Sequence, residues 1–228
     1  MPPTRLNHTR VSGYQAFINQ VPVPESDLAF FATKPCARPY LNSSSAYRPV
    51  PFIARYEKHD TSDRFFSKTT NTSSTIKHLL AVTRKDEDWA QRARDALTTE
   101  ETEERNPQTH GDEPDMVVFL HLDSDINGFR GTAHGGVLAA ILDEVIGTAI
   151  IGYQQSVSVM GGGESRLYTA YLNLTYRAPV ETPGTVLIKT WLVRREGRKW
   201  FTAAQLLGED GGIRTEASGM WVAKEGNL

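Results

Sequence analysis

One stretch, residues 132–151, constrains the fold more than any other part of the sequence. Its side chains are nearly all small or apolar, and their pattern predicts a helix of about five turns. A helix that is apolar nearly all the way round has to be enclosed by the rest of its domain. Its middle carries two acids, Asp143 and Glu144, and burying an unpaired charge is expensive. The sequence therefore predicts a core helix whose acid has a partner or a function.

Small residues surround Asp143 on its side of the predicted helix. Ala140 and Gly136 lie one and two turns before it, and Gly147 lies one turn after it. This spacing leaves room for a molecule to lie along the helix beside the carboxylate. Glu144 points about 100° away, toward bulkier neighbours. Asp143 is therefore the stronger candidate for a catalytic acid.

The start of this helix is rich in glycine, in the sequence His134-Gly135-Gly136. A helix start built this way presents uncovered backbone N–H groups and the positive end of the helix dipole. It can hold an anion, or an oxyanion as one forms during a reaction. The pattern is equally compatible with a glycine-rich helix start whose acid only reaches solvent.

Two motifs resemble one family. His134-Gly135-Gly136 followed by Asp143 resembles the HGG-x6-D signature of hotdog-fold acyl-CoA thioesterases, in the phenylacetate-pathway-like branch of the 4-hydroxybenzoyl-CoA thioesterase superfamily. The segment from Asn173 to Val180 is similar to the N-x-T-Y-x-x-P strand of that family. The resemblance covers residues 112–225, about half the chain, and the long N-terminal part is similar to fungal members.

The resemblance implies an α+β hotdog fold, in which an antiparallel sheet wraps around one long helix. It implies that Asp143 is the general base or the nucleophile, and that the N–H of Gly136 polarises the thioester carbonyl. His134 would shape the turn, and Thr169 would orient the attacking water. No cofactor is implied, since CoA or a carrier's phosphopantetheine is part of the substrate.

One position departs from the family pattern. Related enzymes can carry Asn or Gln six residues before the motif histidine, where this chain has Gly128 with Asn127 one residue earlier. Either Asn127 takes that role or the helix start polarises the carbonyl alone. Further candidates for substrate binding are Asn127, Gly135, Glu144, Arg177, Arg195 and Lys199. The basic residues among them are also compatible with solvated hairpin tips.

The remaining pattern predicts strands at residues 116–122, 167–178, 185–195, 199–209 and 213–223, with a flexible connection over 152–166 that contains the glycines at 161–163. Residues 112–228 would then form the hotdog domain. Residues 1–111 would form a Pro-rich extension that wraps around the core. Within it we expect short helices near 63–66 and 75–80 and an exposed helix over 86–105.

Composition narrows the class of protein. The net charge of −2 offers no basic excess for nucleic acid, and the lone Cys36 excludes an internal disulfide. We expect no run of transmembrane length and no metal site. A cytoplasmic location is expected, although Arg5 and Arg10 in an acid-free N-terminus faintly resemble a transit peptide.

The sequence favours hydrolysis of an acyl thioester, and the resemblance implies a homodimer or tetramer with its active site between subunits. One alternative is release or cyclisation of a polyketide-type chain, in secondary metabolism, from an acyl carrier protein. Another is a non-catalytic acyl-binding protein, which would have no need of a buried acid. A hotdog dehydratase fits the spacing less well.

Overall fold

The computed structural model describes residues 13–85, 113–157 and 165–225. Nine strands lie in this part of the chain: β1 (Tyr47–Val50), β2 (Ile76–Arg84), β3 (Met116–Leu122), β4 (Asn127–Phe129), β5 (Thr132–Ala133), β6 (Ser165–Tyr176), β7 (Gly184–Glu196), β8 (Lys199–Gly208) and β9 (Ile213–Glu225). Seven of them form one antiparallel sheet in the order β1-β2-β3-β7-β8-β9-β6. The other two, β4 and β5, pair with each other just before the central helix.

Four α-helices accompany the strands: α1 (Tyr14–Gln20), α2 (Glu25–Ala32), α3 (Arg38–Leu41) and α4 (Gly135–Val157). Short 3₁₀ turns lie at Pro35–Ala37, Ile53–Arg55 and Ser124–Ile126, and a π-helical turn lies at Phe65–Thr69. The sheet wraps around α4, so the predicted hotdog architecture is confirmed.

Strand β3 is buried on both faces, which explains its uninterrupted apolar sequence. Met116, Val118 and Leu120 point into the cluster that contains α4. Val117 and Phe119 point to the opposite face, into a second cluster that is covered by helix α2. The sheet is therefore the middle of three layers at this strand, with α4 on one side and part of the N-terminal extension on the other.

The N-terminal extension contributes to both clusters. Tyr14 and Phe17 of α1 pack beside α4, and Phe31 of α2 lies with its ring centre 5.7 Å from that of Phe119. On the same outer face, Asp27 of α2 is hydrogen bonded to His78 of β2, with Oδ1 and Nδ1 2.8 Å apart. The predicted wrapping is thus a layer of short helices in contact with the sheet.

The expected helix at 75–80 is wrong, because this segment forms the first half of β2. Short apolar runs fit a helix or a buried strand equally well, and here the pairing partner β3 lies far along the sequence. The helix near 63–66 is replaced by the π-helical turn Phe65–Thr69. The connection expected over 152–166 is too long, because α4 continues to Val157 and β6 begins at Ser165. The glycines at 161–163, the helix expected over 86–105 and the boundary at 111/112 fall outside the described residues, and they stay predictions.

Helix α4 begins at Gly135, three residues later than predicted, because Thr132 and Ala133 belong to β5. Residues 135–154 are long and apolar enough to cross a membrane by length and composition alone, so the expectation that no run reaches that length is wrong. Half of this window is buried inside the fold, as in the core helix of a soluble protein.

One side of α4 is only partly covered by the described chain. Its partly or fully exposed residues form what we call the open strip: Gly136, Val137, Ala139, Ala140, Asp143, Glu144, Gly147 and Ile151. The prediction that α4 is enclosed all round is therefore correct only for its other faces. The open strip contains the small residues that the sequence places around Asp143.

Candidate active site

Asp143 and Thr169 meet at the edge of the open strip. The Thr169 hydroxyl donates a hydrogen bond of 2.8 Å to Oδ1 of Asp143. Thr169 lies on the edge strand β6, which passes alongside α4. This contact brings together two predicted site residues that are 26 positions apart in sequence. It uses one carboxylate oxygen and leaves Oδ2 for another partner.

The floor of the strip next to Asp143 is open space. Apart from its chain neighbours and the backbone of its own helix, a Cβ built on Gly147 would have no atom of the described chain within 4 Å, and Gly136 and Ala140 continue the same surface toward the helix start. Because these positions carry almost no side chain, an extended molecule can lie against the helix backbone beside the Asp143 carboxylate.

At the helix start, the His134 ring folds back over Gly136. The Gly136 N–H donates to Nδ1 of His134 at 2.9 Å, so this nitrogen accepts and the ring proton belongs on Nε2. The prediction that the helix start presents an uncovered Gly136 N–H is therefore wrong, because His134 accepts a hydrogen bond from it. A carbonyl oxygen at this position would share the N–H with His134 or displace the imidazole.

The departure at Gly128 has a steric reason in the same turn. A Cβ on Gly128 would approach Cα and Cδ2 of His134 to 3.1 Å. A side chain at this position would need His134 to shift by a few tenths of an ångström. Glycine at position 128 therefore leaves room for the His134 ring to pack over Gly136.

Asn127, the alternative polar residue, is held by Thr182. The Thr182 hydroxyl donates to Oδ1 of Asn127, and the backbone N–H of Thr182 donates to the carbonyl oxygen of Gly131 at 3.1 Å. The loop around Thr182 thus fixes the β4–β5 ribbon that leads into α4. With its oxygen engaged, the Asn127 amide offers its NH₂ end as a donor.

Tyr176 is a site residue that the sequence analysis quoted within the N-x-T-Y motif without giving it a role. Its hydroxyl donates to the carbonyl oxygen of Gly135 at 2.7 Å. A Cβ on Gly135 would lie 3.3 Å from Cζ of the same ring, so the close approach of the phenol favours glycine there. The N-x-T-Y motif was the only sequence feature that pointed to Tyr176. Its hydrogen bond to Gly135 depends on tertiary structure and could not be predicted from the motif.

Glu144 faces the N-terminal extension from the other edge of the open strip. Burial raises the pKa of its carboxyl from 4.5 to about 7, the charges of Asp63 and Asp143 act in the same direction, and that of Lys58 opposes them. Lys58 and Asp63 form an ion pair with each other. The surroundings of Glu144 thus disfavour its charged form. Its role as a substrate-binding residue stays a prediction.

The raised pKa of Glu144 predicts a specific pH dependence of stability. Between pH 4.5 and 7 the folded protein binds this proton more tightly than the unfolded chain does, so stability falls as pH rises. The full shift corresponds to about 3 kcal/mol. We expect Glu144→Gln to remove this loss, so that the variant is the more stable protein at pH 8 and not at pH 4.

Urea unfolding of both proteins from pH 4 to pH 8 measures the effect. Burial also raises the pKa of Asp27, but that residue is common to both proteins and cancels in the difference. Parallel stability curves for wild type and Glu144→Gln would show that this carboxylate is well solvated.

The basic candidates do not form one cluster. Arg177 pairs with Glu216 at 2.6 Å and follows directly after β6 near the helix start. Arg195 lies over the Trp200 ring at 4.5 Å, and the strand register places it level with Thr169, three strands away. Lys199 opposes Glu196 at the end of the β7–β8 hairpin. Within one copy, Arg177 therefore cannot share a ligand phosphate with Arg195 and Lys199.

Comparisons with known proteins agree with this architecture. Residues 130–214 match the sequence model of the Thioesterase superfamily. This segment contains the glycine-rich helix start, α4, Thr169 and Tyr176. Together with the sheet that wraps around the helix, this match supports a hotdog-fold thioesterase domain in this part of the chain. The branch within the superfamily stays a prediction.

Individual relatives match over part of their length. An uncharacterised protein of Schizosaccharomyces pombe is 32% identical over 110 residues, covering 46% of this chain and 58% of the relative. The mouse acyl-coenzyme A thioesterase THEM4 is 31% identical over 104 residues, covering 45% and 39% respectively. The chain thus spans about half the length, or less, of these curated relatives.

Among solved structures, a hypothetical thioesterase protein of Streptococcus pneumoniae with coenzyme A superposes with a TM-score of 0.42 at 17% identity. The superposition covers 62% of this chain and 98% of that chain.

Proposed function

We propose that this protein hydrolyses an acyl thioester to a free acid and a thiol. The observation that supports this most strongly is the hydrogen bond between Thr169 and Asp143. It places an oriented carboxylate on an open strip of small residues that leads to a glycine-rich helix start. An acid, a groove and backbone N–H donors are the parts that acyl transfer to water requires.

In the proposed reaction, Oδ2 of Asp143 takes a proton from water while the water oxygen bonds to the thioester carbon. Thr169 holds the carboxylate through Oδ1 and so directs Oδ2 at the water. The negative charge that develops on the carbonyl oxygen is stabilised at the helix start by the helix dipole and by the Gly136 N–H, which the oxygen shares with His134 or takes over from it. The carbon–sulfur bond then breaks, and the thiolate leaves and takes up a proton. In the alternative route, Asp143 attacks the carbon itself and water hydrolyses the resulting anhydride.

Helix geometry supports a site shared by two copies of the chain. Gly136 and Asp143 lie seven residues apart on α4, which is about 10 Å along the axis. One carbonyl group cannot lie about 3 Å from both the acid and the N–H donor at that separation. A second copy, with its α4 antiparallel, would bring its Asp143 beside the first copy's glycine turn. We therefore propose a homodimer, alone or within a tetramer, in which the open strips face each other.

The chemical class of the substrate is an acyl group on CoA or on a carrier's phosphopantetheine. Mouse THEM4, to which the chain is 31% identical over 104 residues, is named an acyl-coenzyme A thioesterase, which favours CoA. Arg195 and Lys199 are the proposed contacts for nucleotide phosphates. The reaction as written needs no bound cofactor.

Thiol release from a panel of substrates tests the proposal. The panel spans short, long and aromatic acyl-CoA thioesters, with the same acyl groups on a carrier protein. We expect release of free thiol and free acid in equal amounts from at least one CoA thioester. Turnover of carrier substrates alone would favour chain release in biosynthesis, and binding of acyl-CoA without thiol release would favour an acyl-binding protein.

A further inference from the structure

One irregularity in β6 decides which side chains reach the central helix. Thr169 and Tyr176 are seven residues apart, and in a regular strand an odd separation places two side chains on opposite faces. The pairing with β9 shifts between them, since Thr169 opposes Trp221 and Tyr171 opposes Met220. Ala170 is therefore an extra residue, a β-bulge. Because of it, both Thr169 and Tyr176 face α4.

The two side chains form hydrogen bonds to the catalytic acid and to the oxyanion donor of the proposed site. The Thr169 hydroxyl donates to Asp143, and the Tyr176 hydroxyl donates to the carbonyl oxygen of Gly135 at 2.7 Å. That carbonyl belongs to the same peptide unit as the Gly136 N–H. The peptide unit is planar and trans, so its oxygen and its hydrogen point in opposite directions. Fixing the oxygen with Tyr176 therefore fixes the direction of the N–H.

The hydrogen bond also affects the strength of the N–H as a donor. A donor at the carbonyl oxygen polarises the peptide unit, and chains of hydrogen bonds strengthen one another. Tyr176 is half exposed, so its ring contributes little burial to the core. Its contact with Gly135 is therefore better explained by the geometry of the turn than by packing.

Building on the proposed function, we propose that Tyr176 is a positioning residue that holds the Gly136 N–H in the direction from which the thioester carbonyl would approach. In this structure that N–H donates to Nδ1 of His134, so the carbonyl oxygen would share it with the imidazole or displace the ring. It acts through the peptide unit and does not touch the substrate. One edge strand with a single bulge then holds both the acid and the oxyanion donor of the chain. In a dimer, these two would serve the two different active sites.

The variant Tyr176→Phe tests this, because it keeps the ring and removes only the hydroxyl. Tyr171→Phe is the matched control, on the same strand but on the face away from α4. We expect kcat of Tyr176→Phe to fall about tenfold, the scale of one neutral hydrogen bond when its loss weakens the oxyanion donor. KM and the melting temperature should stay close to those of wild type, and Tyr171→Phe should match wild type throughout.

Binding of two acyl-CoA analogues provides a readout that does not depend on turnover. In one analogue CH₂ replaces sulfur and the carbonyl is kept, and in the other the sulfur is kept and CH₂ replaces the carbonyl. We expect wild type and Tyr171→Phe to prefer the carbonyl analogue, and Tyr176→Phe to lose that preference. If Tyr176→Phe loses the preference but the wild-type protein releases no thiol from any substrate, the proposed hydrolysis is wrong and the positioning role of Tyr176 is still supported. Equal preference in Tyr176→Phe and Tyr171→Phe, or a change in melting temperature alone, would overturn it.

Discussion

Replacing Asp143 with Asn is expected to lower kcat at least about 100-fold, the scale of losing a general base. Asn has nearly the same shape, and its amide oxygen can still accept the Thr169 hydrogen bond. It cannot take a proton from water or attack a thioester. KM should change little, because the carboxylate acts on the water and not on the bound acyl chain.

Glu144→Gln is the matched control for this variant. It makes the same chemical change one residue further along α4, on the side that faces the extension. We expect it to keep most of the wild-type kcat at neutral pH. Equal activity of wild type and Asp143→Asn would contradict the assignment, and a large loss only in Glu144→Gln would move the catalytic role to that acid. Initial rates of thiol release under saturating substrate measure both.

Removing residues 1–111 is expected to abolish folding of the remaining chain. The removed part contains β2, which pairs with β3 along most of its length, and α2, which covers Phe119. Exposing a large apolar side chain costs about 1.5–3 kcal/mol, and a domain is stable by only about 5–15 kcal/mol. Loss of cover from Val117, Phe119 and their neighbours is therefore enough to exceed the stability of the domain.

Circular dichroism and urea unfolding of the fragment 112–228, beside the full chain, test this prediction. We expect the fragment to aggregate or to unfold without a cooperative transition. Adding residues 1–85 as a separate chain should restore part of the transition, because β2 can pair again. A fragment that unfolds cooperatively with the stability of the full chain would show that the extension is only an appendage.

The hotdog half could be predicted from the sequence because its signals are local. The apolar run 132–151 predicted the central helix, and Asp210, Gly211 and Gly212 marked a turn between two strands. Four predicted strand segments after this helix correspond to β6, β7, β8 and β9. Thr169 was predicted from the family resemblance as a residue that orients the water, and its hydrogen bond to Asp143 was not predicted.

The parts that were missed depend on long-range contacts. Strand β2 was predicted as a helix because its partner β3 lies more than thirty residues later. The role of Tyr176 depends on a one-residue bulge at Ala170, which a pattern of alternation cannot reveal. The engagement of the Gly136 N–H by His134 depends on a ring that folds back over the turn. All three features depend on tertiary structure, and the last two lie at the proposed site.

A mixing experiment with two defective variants tests most directly whether acid and oxyanion donor meet between copies. One variant is Asp143→Asn. The other is Gly136→Pro, which removes the N–H in the first helical turn and pushes aside the His134 ring that accepts from it. Each alone should be nearly inactive. After random re-association, half of the dimers are mixed and each holds one intact site, so about a quarter of wild-type activity should return. Activity no higher than that of the separate variants would contradict a site shared between two copies.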